Sequence, residues 1–194
     1  MEQSPSIIGI DPVPVRVSGK KDFKISEGKT RAHTSVIVRI RTEIDDLEGI
    51  GEIVCAPPGK PEELPEEILG AVQKIVAPVL VGQPANNRAK CAAVIETALK
   101  GRAWTKAGVN NALFDLQAKV CGTSVSYLLG GRVNDTIPVM GTVIGIDTPD
   151  VMAKQAASTV AEGFVAVKVK IGETVPSDIA RIAAVREAVG PKIQ

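Results

Sequence analysis

The chain has 194 residues, 44% hydrophobic and 23% charged, with a net charge of +1. This is an ordinary globular composition, and the near-zero charge argues against nucleic acid or a membrane surface as partner. Aromatic residues make up only 3%, too few for base-stacking platforms. The most apolar region, residues 68–81, is broken by Gln73, Lys74 and Pro78 and is not a membrane span. Cys55, Cys91 and Cys121 form no CxxC pair, which speaks against zinc or a disulfide framework and for reduced thiols. The N-terminus has neither the basic nor the apolar region of a signal peptide, so a cytoplasmic location is expected.

Residues 8–17 alternate at Val13, Val15 and Val17, and Pro12 and Pro14 mark an edge strand. A basic connection follows over 18–34, carrying Lys20, Lys21, Lys24, Lys29 and Arg31. Connections of this length are usually functional or disordered, and its charge suits an anionic ligand as well as a solvated loop. His33, the only histidine, reads as structural. Residues 35–42 are the cleanest strand, with Val36, Val38 and Ile40 on one face; a turn at 45–49 leads to a third strand at 50–54. The result is an antiparallel meander.

Three helices are expected next. Pro61 opens one that runs towards Leu80. Asn86 or Asn87 caps a second, ending near Lys100 and Gly101. Thr105 caps a third, with Val109, Leu113, Leu116 and Val120 at helical spacing and Gly122 as its stop. Its polar Asn110, Asn111, Asp115 and Lys119 read as a solvated or interface face. A short turn over 125–129 ends at Gly130 and Gly131.

The pattern then changes. Residues 137–146 read as a strand, and Thr148-Pro149 opens a helix that ends at Gly163. Residues 165–171 form a second strand in which Val165, Val167, Val169 and Ile171 alternate with Ala166, Lys168 and Lys170. Pro176-Ser177-Asp178 opens another helix, with Ile179, Ile182, Val185 or Arg186, and Val189 on its face, and Lys192 begins a third strand. This β-α-β-α-β order builds a parallel sheet by right-handed crossovers. The chain is thus an α+β domain over residues 1–135 followed by an α/β domain that has barely begun. Lys168 and Lys170 project side by side just before Gly172, at a strand's C-terminal end, where α/β barrels do their chemistry. The plainer reading of two strand lysines is solvation or protection of a sheet edge.

The ordered set of elements resembles the enolase superfamily, in its mandelate racemase and muconate lactonizing branch. Ser35-Val-Ile-Val-Arg-Ile40 with Gly49-Ile-Gly-Glu52 is similar to that branch's second and third strands. Ala112-Leu-Phe-Asp115-Leu-Gln-Ala-Lys119 with Gly122 resembles its signature helix, and Leu128-Leu-Gly-Gly131 its exit into the barrel. Thr142 ends a strand like the first barrel strand, and Lys168-Val-Lys170 resembles the catalytic lysine motif on the second. The resemblance implies an α+β capping domain (1–135) and the start of a (β/α) barrel (136–194), truncated at the third strand.

It also implies a chemistry: a Mg²⁺-dependent racemase, epimerase or cycloisomerase that removes the proton alpha to a carboxylate, the metal stabilising the enediolate. A lysine base working with Mg²⁺ is a known arrangement in this superfamily. Lys170 is then the acid/base and Lys168 its neighbour. The physics agrees, because a second ammonium alongside a lysine disfavours the charged form. Asp22-Phe-Lys24, Thr142-Val143 and Thr148-Pro-Asp-Val-Met-Ala153 are most similar to dipeptide epimerases. Those enzymes carry a substrate-holding arginine where this chain has Gly28, so Lys29 or Arg31, with Thr142, are the candidate substrate-binding residues.

The resemblance puts the metal carboxylates on the third to fifth barrel strands, downstream of Gln194. Glu173 and Asp178 read as loop and helix-cap residues, so no metal ligand is assigned here. The 194 residues alone are therefore expected to be inactive. A small carboxylate is the expected substrate and a homo-oligomer the expected assembly. Two alternatives remain: an acid-sugar dehydratase, or a non-catalytic fragment or assembly module built on the capping domain. An open parallel sheet would expose backbone edges, which disfavours the module.

Overall fold

The computed structural model describes residues 4–26, 28–55, 63–141 and 143–194, with the backbone alone at 20, 21, 25, 29 and 30. They form two compact units: the chain up to Val17 together with Ala32–Val133, and Ser18–Arg31 together with Asn134–Gln194.

The sheet has three strands, β1 (Ile7–Ile25), β2 (Gly28–Thr42) and β3 (Glu48–Val54), in the order β1-β2-β3. The first two are far longer than the apolar alternation indicates. The basic stretch read as a connection is itself strand on both sides of a turn at Ser26. Residues 16–19 are exposed there, and a ribbon without a buried face carries no apolar alternation to betray it.

In the first unit β2 and β3 pair antiparallel, with Val36 opposite Ile53, Val38 opposite Gly51 and Ile40 opposite Gly49. Val36, Val38 and Ile40 are fully buried, as alternation on a half-covered sheet requires. The helices are α1 (Pro65–Ala71), α2 (Ala77–Leu80), α3 (Arg88–Ala98), α4 (Ala103–Val120) and the single turn α5 (Val125–Leu128). Pro61, the expected start of the first, lies outside the described residues. A π-helical turn, Val72–Val76, joins α1 to α2. Pro78 has no N–H to give the preceding turn, and such bulges absorb that loss.

Helix α4 is the centre of this unit. Val109, Leu113 and Leu116 are buried against the sheet. Three glycines bring the backbones together. A Cβ at Gly51 would stand 2.2 Å from the Gly108 carbonyl oxygen, and one at Gly49 would stand 2.2 Å from that of Ala112. The polar side of α4 is not merely solvated. Asp115 accepts the Ile50 N–H at 2.9 Å, and Lys119 donates to the Glu48 carbonyl at 2.8 Å, so both grip the backbone of β3.

The helix caps divide in the same way. Asn87 accepts the Lys90 N–H and caps α3 as its residue type predicts. Thr105 does not cap α4. Buried Glu63, far upstream, accepts the Trp104 N–H at 2.8 Å and the Thr105 N–H at 3.3 Å, and the Thr105 hydroxyl donates to it as well.

In the second unit, α6 (Pro149–Ala161) and α7 (Val175–Val189) pack on a core of Ile144, Met152, Ala156 and Val185, joined by Val167, Val169 and Val189. Ile144 bridges Val169 in parallel. The Ile144 N–H donates to the Lys168 carbonyl at 2.8 Å, and the Lys170 N–H to the Ile144 carbonyl at 2.9 Å. Gln194 makes the same pattern on the other side, donating to Val165 and accepting from Val167. The pairing is shorter than the expected strand at 137–146, since residues 137–140 are exposed and unpaired in any strand. Helix α7 also turns differently from expectation. Ile179 and Ile182 are exposed, whereas Arg181 and Val185 are buried.

Candidate functional site

A pocket of about 780 Å³ opens in the second unit. The end of the first parallel segment supplies one wall: Val143, Gly145, Ile146, Asp147 and Thr148. Residues of the β1–β2 ribbon supply another, Asp22, Phe23, Lys24 and Arg31, and α6 and α7 add Gln155 and Arg181. The alternation explains the first wall. Ile144 and Ile146 are buried, so their neighbours Val143 and Gly145 face the other way. Gly145 lets the ribbon come close. A Cβ there would stand 3.1 Å from the Lys24 carbonyl oxygen, which accepts the Ile146 N–H at 2.9 Å.

Charge is concentrated behind this wall. Arg181 is 8% exposed. Its guanidinium donates to the Asp147 carbonyl at 2.8 Å, to Ser177 at 3.1 Å, to Asp178 at 2.9 Å and to Glu173. Glu173 in turn accepts from Lys24. The Lys24 hydrogen bond first, and then that of Arg181, hold the Glu173 carboxyl below the usual carboxylate range. Asp178 also accepts the Gly172 N–H at 2.9 Å.

The expected site residues fall as follows. Lys168 is exposed and Lys170 half-buried. Val167 and Val169 pack against the core, but the strand expected at 165–171 is reduced to an isolated bridge at Val169, with Val165 and Ile171 exposed. Neither lysine lines the pocket. Arg31 does line it and makes no ion pair among the described residues. Thr142 and the side chain of Lys29 lie outside the described residues. Among the described residues, no group of three His, Cys, Asp or Glu side chains is arranged to hold a metal ion. The residues present therefore do not fit a Mg²⁺ site on their own.

Sequence reasoning missed Arg181, Glu173, Lys24 and Gly145 as site-building residues. The available signal was the Asp178/Arg181 pair at i,i+3 spacing on α7.

The chain matches the family model for the mandelate racemase / muconate lactonizing enzyme N-terminal domain over residues 7–130, and one described as enolase C-terminal domain-like over 151–194. It belongs to the mandelate racemase / muconate lactonizing enzyme family. It is 33% identical to an N-succinyl-L-Arg/Lys racemase of Bacillus cereus, over 96% of this chain and 50% of that one. The crystal structure of that racemase superposes with a TM-score of 0.88, at 32% identity over 97% of this chain and 50% of the other. A dipeptide epimerase of Enterococcus faecalis, solved with Mg and the dipeptide L-Leu-L-Tyr, gives 0.87 at 31% identity, covering 97% and 52%. A muconate lactonizing enzyme of Pseudomonas fluorescens, solved with muconolactone, gives 0.88 at 29%, covering 97% and 51%. The chain spans about half the length of the curated relatives it matches.

Proposed function

We propose that the full-length protein is a racemase, epimerase or cycloisomerase that removes the proton alpha to the carboxylate of a small substrate. Residues 136–194 are the start of its barrel domain in this reading. Lys170 is the acid/base that takes the α-proton and returns it, with Lys168 as its neighbour. Arg31, with Lys29 and Thr142, holds the substrate carboxylate, a role suited to a guanidinium's paired donors. A cytoplasmic homo-oligomer belongs to the same proposal.

The observation that carries this reading is the alternation at 167–170. Two valines pack against the core, and two lysines alternate with them along a segment bridged to the one that walls the pocket. The family membership supports it, as do relatives named racemase, epimerase and cycloisomerase. Mg²⁺ is proposed for the full-length protein because a similar epimerase was solved with Mg. The described residues do not supply its ligands, and no step here runs through it.

The test is exchange of the α-proton in D₂O, followed by NMR, with the full-length protein and a panel of dipeptides and N-succinyl amino acids. Deuterium wash-in at the α-carbon of at least one class is expected. No wash-in across the panel, with the protein folded, would overturn the racemase and epimerase reading.

A further inference from the structure

The β1–β2 ribbon reaches the pocket at two places where a glycine leaves room for it. Lys24 lies on Gly145, and Ser26 lies on Gly172, whose absent Cβ would stand 2.9 Å from that of Ser26. Gly172 has φ +122°, a backbone that side chains rarely adopt. One backbone hydrogen bond, from Ile146 to the Lys24 carbonyl, holds the first contact. One such bond is worth little net, so a second tie is needed to keep the ribbon seated.

We propose that Glu173 is a positioning residue that latches the ribbon over the pocket. It joins Lys24 of the ribbon to Arg181 of α7, and Arg181 in turn fixes the Asp147 carbonyl at the end of the first parallel segment. One carboxylate thereby sets the ribbon, the loop after the second segment and the loop after the first in a single register. Arg181 is the rigid end, because it is buried and holds four acceptors. Lys24 is the releasable end, since its side chain is 45% exposed. Releasing it uncovers the wall that carries Phe23 and Arg31, whatever ligand the pocket takes. The latch rests on the pocket geometry and not on the reaction proposed above, so either can fail alone.

The Ile146 amide is its natural reporter, because it is bonded to the Lys24 carbonyl. Native-state hydrogen exchange at Ile146 should quicken on the order of two- to fivefold in Lys24→Met, the range expected for losing one partly exposed ion pair, and at least as much in Glu173→Gln and Glu173→Ala, which lose the Arg181 pair as well. The double variant Lys24→Met/Glu173→Gln should be no faster than Glu173→Gln alone, and Lys24→Arg should keep the original rate. Amides in the middle of α6 should not change. Unchanged exchange at Ile146 in the Glu173 variants would overturn the latch. So would additive effects in the double variant, or equal quickening throughout α6, which would make Glu173 a general stabiliser.

Discussion

Substituting Gly51→Ala tests the packing of α4 on the sheet. The new methyl would stand 2.2 Å from the Gly108 carbonyl oxygen, 2.8 Å from the Ala112 nitrogen and 3.1 Å from the Ala112 Cβ. The first two atoms are backbone and cannot rotate away. Since non-bonded heavy atoms settle at about 3.5 Å or beyond, the helix must lift by roughly 1 Å. Val109, Leu113 and Leu116 are buried in that interface and would lose contact with the sheet. Overpacking costs about 1–3 kcal/mol, and the rigid contacts point to the upper half. Restricting the unfolded chain returns about 0.4–1 kcal/mol. The net loss is about 2 kcal/mol, which lowers a urea midpoint by about 1 M for a slope near 2 kcal/mol/M. Gly70→Ala is the control. It is helical with open space around it and should gain up to about 1 kcal/mol. Urea unfolding followed by circular dichroism measures both. A Gly51→Ala midpoint equal to that of the original protein would refute the close approach of α4 to β3.

Glu63→Ala should cost about 1–2 kcal/mol, since it strips the N-terminus of α4 of its acceptor; the same urea assay measures it. The Glu173 carboxyl is lowered by its bond from Lys24, Glu67 by Arg102, Glu96 by Lys106 and Asp11 by Arg41. A carboxyl lowered by folding stabilises above its ordinary value, and that stability is lost as the pH falls through the lowered one. Melting temperature should therefore hold towards pH 4.5 and then decline as the pH drops further; a flat profile to pH 2.5 would contradict this. Cys55 and Cys91 are buried and burial pushes their thiols up, while Cys121 is exposed. A disulfide reagent at neutral pH should modify Cys121 quickly and the other two only on unfolding; fast modification of two thiols would count against the fold.

The sequence signals that held were those set by burial. Val36, Val38 and Ile40 alternate because one face is covered, and Val109, Leu113 and Leu116 recur because one helix face is. Asn87 capped its helix because capping is local. Signals failed where a partner came from far along the chain. Thr105 looks like a cap, yet the cap is Glu63. Residues 18–25 look like a loop because no apolar alternation runs through them, yet they form strand, and Asp22, Phe23 and Lys24 among them wall the pocket. Arg181 is buried on α7 because the carbonyl of Asp147, far back in the chain, joins its near neighbours Glu173, Ser177 and Asp178 as acceptors. Arg31 was legible as a charge in the basic stretch and lines the pocket, whereas the lysine pair, legible as charges among valines, does not line it. The Glu173 bridge was not, because its meaning depends on Lys24, whose sequence neighbours say nothing about residue 173.

Lys170 is the proposed carrier of the proton. Its most direct test is α-deuterium exchange by the full-length Lys170→Ala variant, on a substrate that the unaltered protein exchanges, with circular dichroism establishing that the variant is folded. Loss of exchange by a factor of about 10² or more is the expected result, the usual contribution of a positioned acid/base. Near-normal exchange in the folded variant would contradict the assignment and return the two lysines to the role of a solvated strand face.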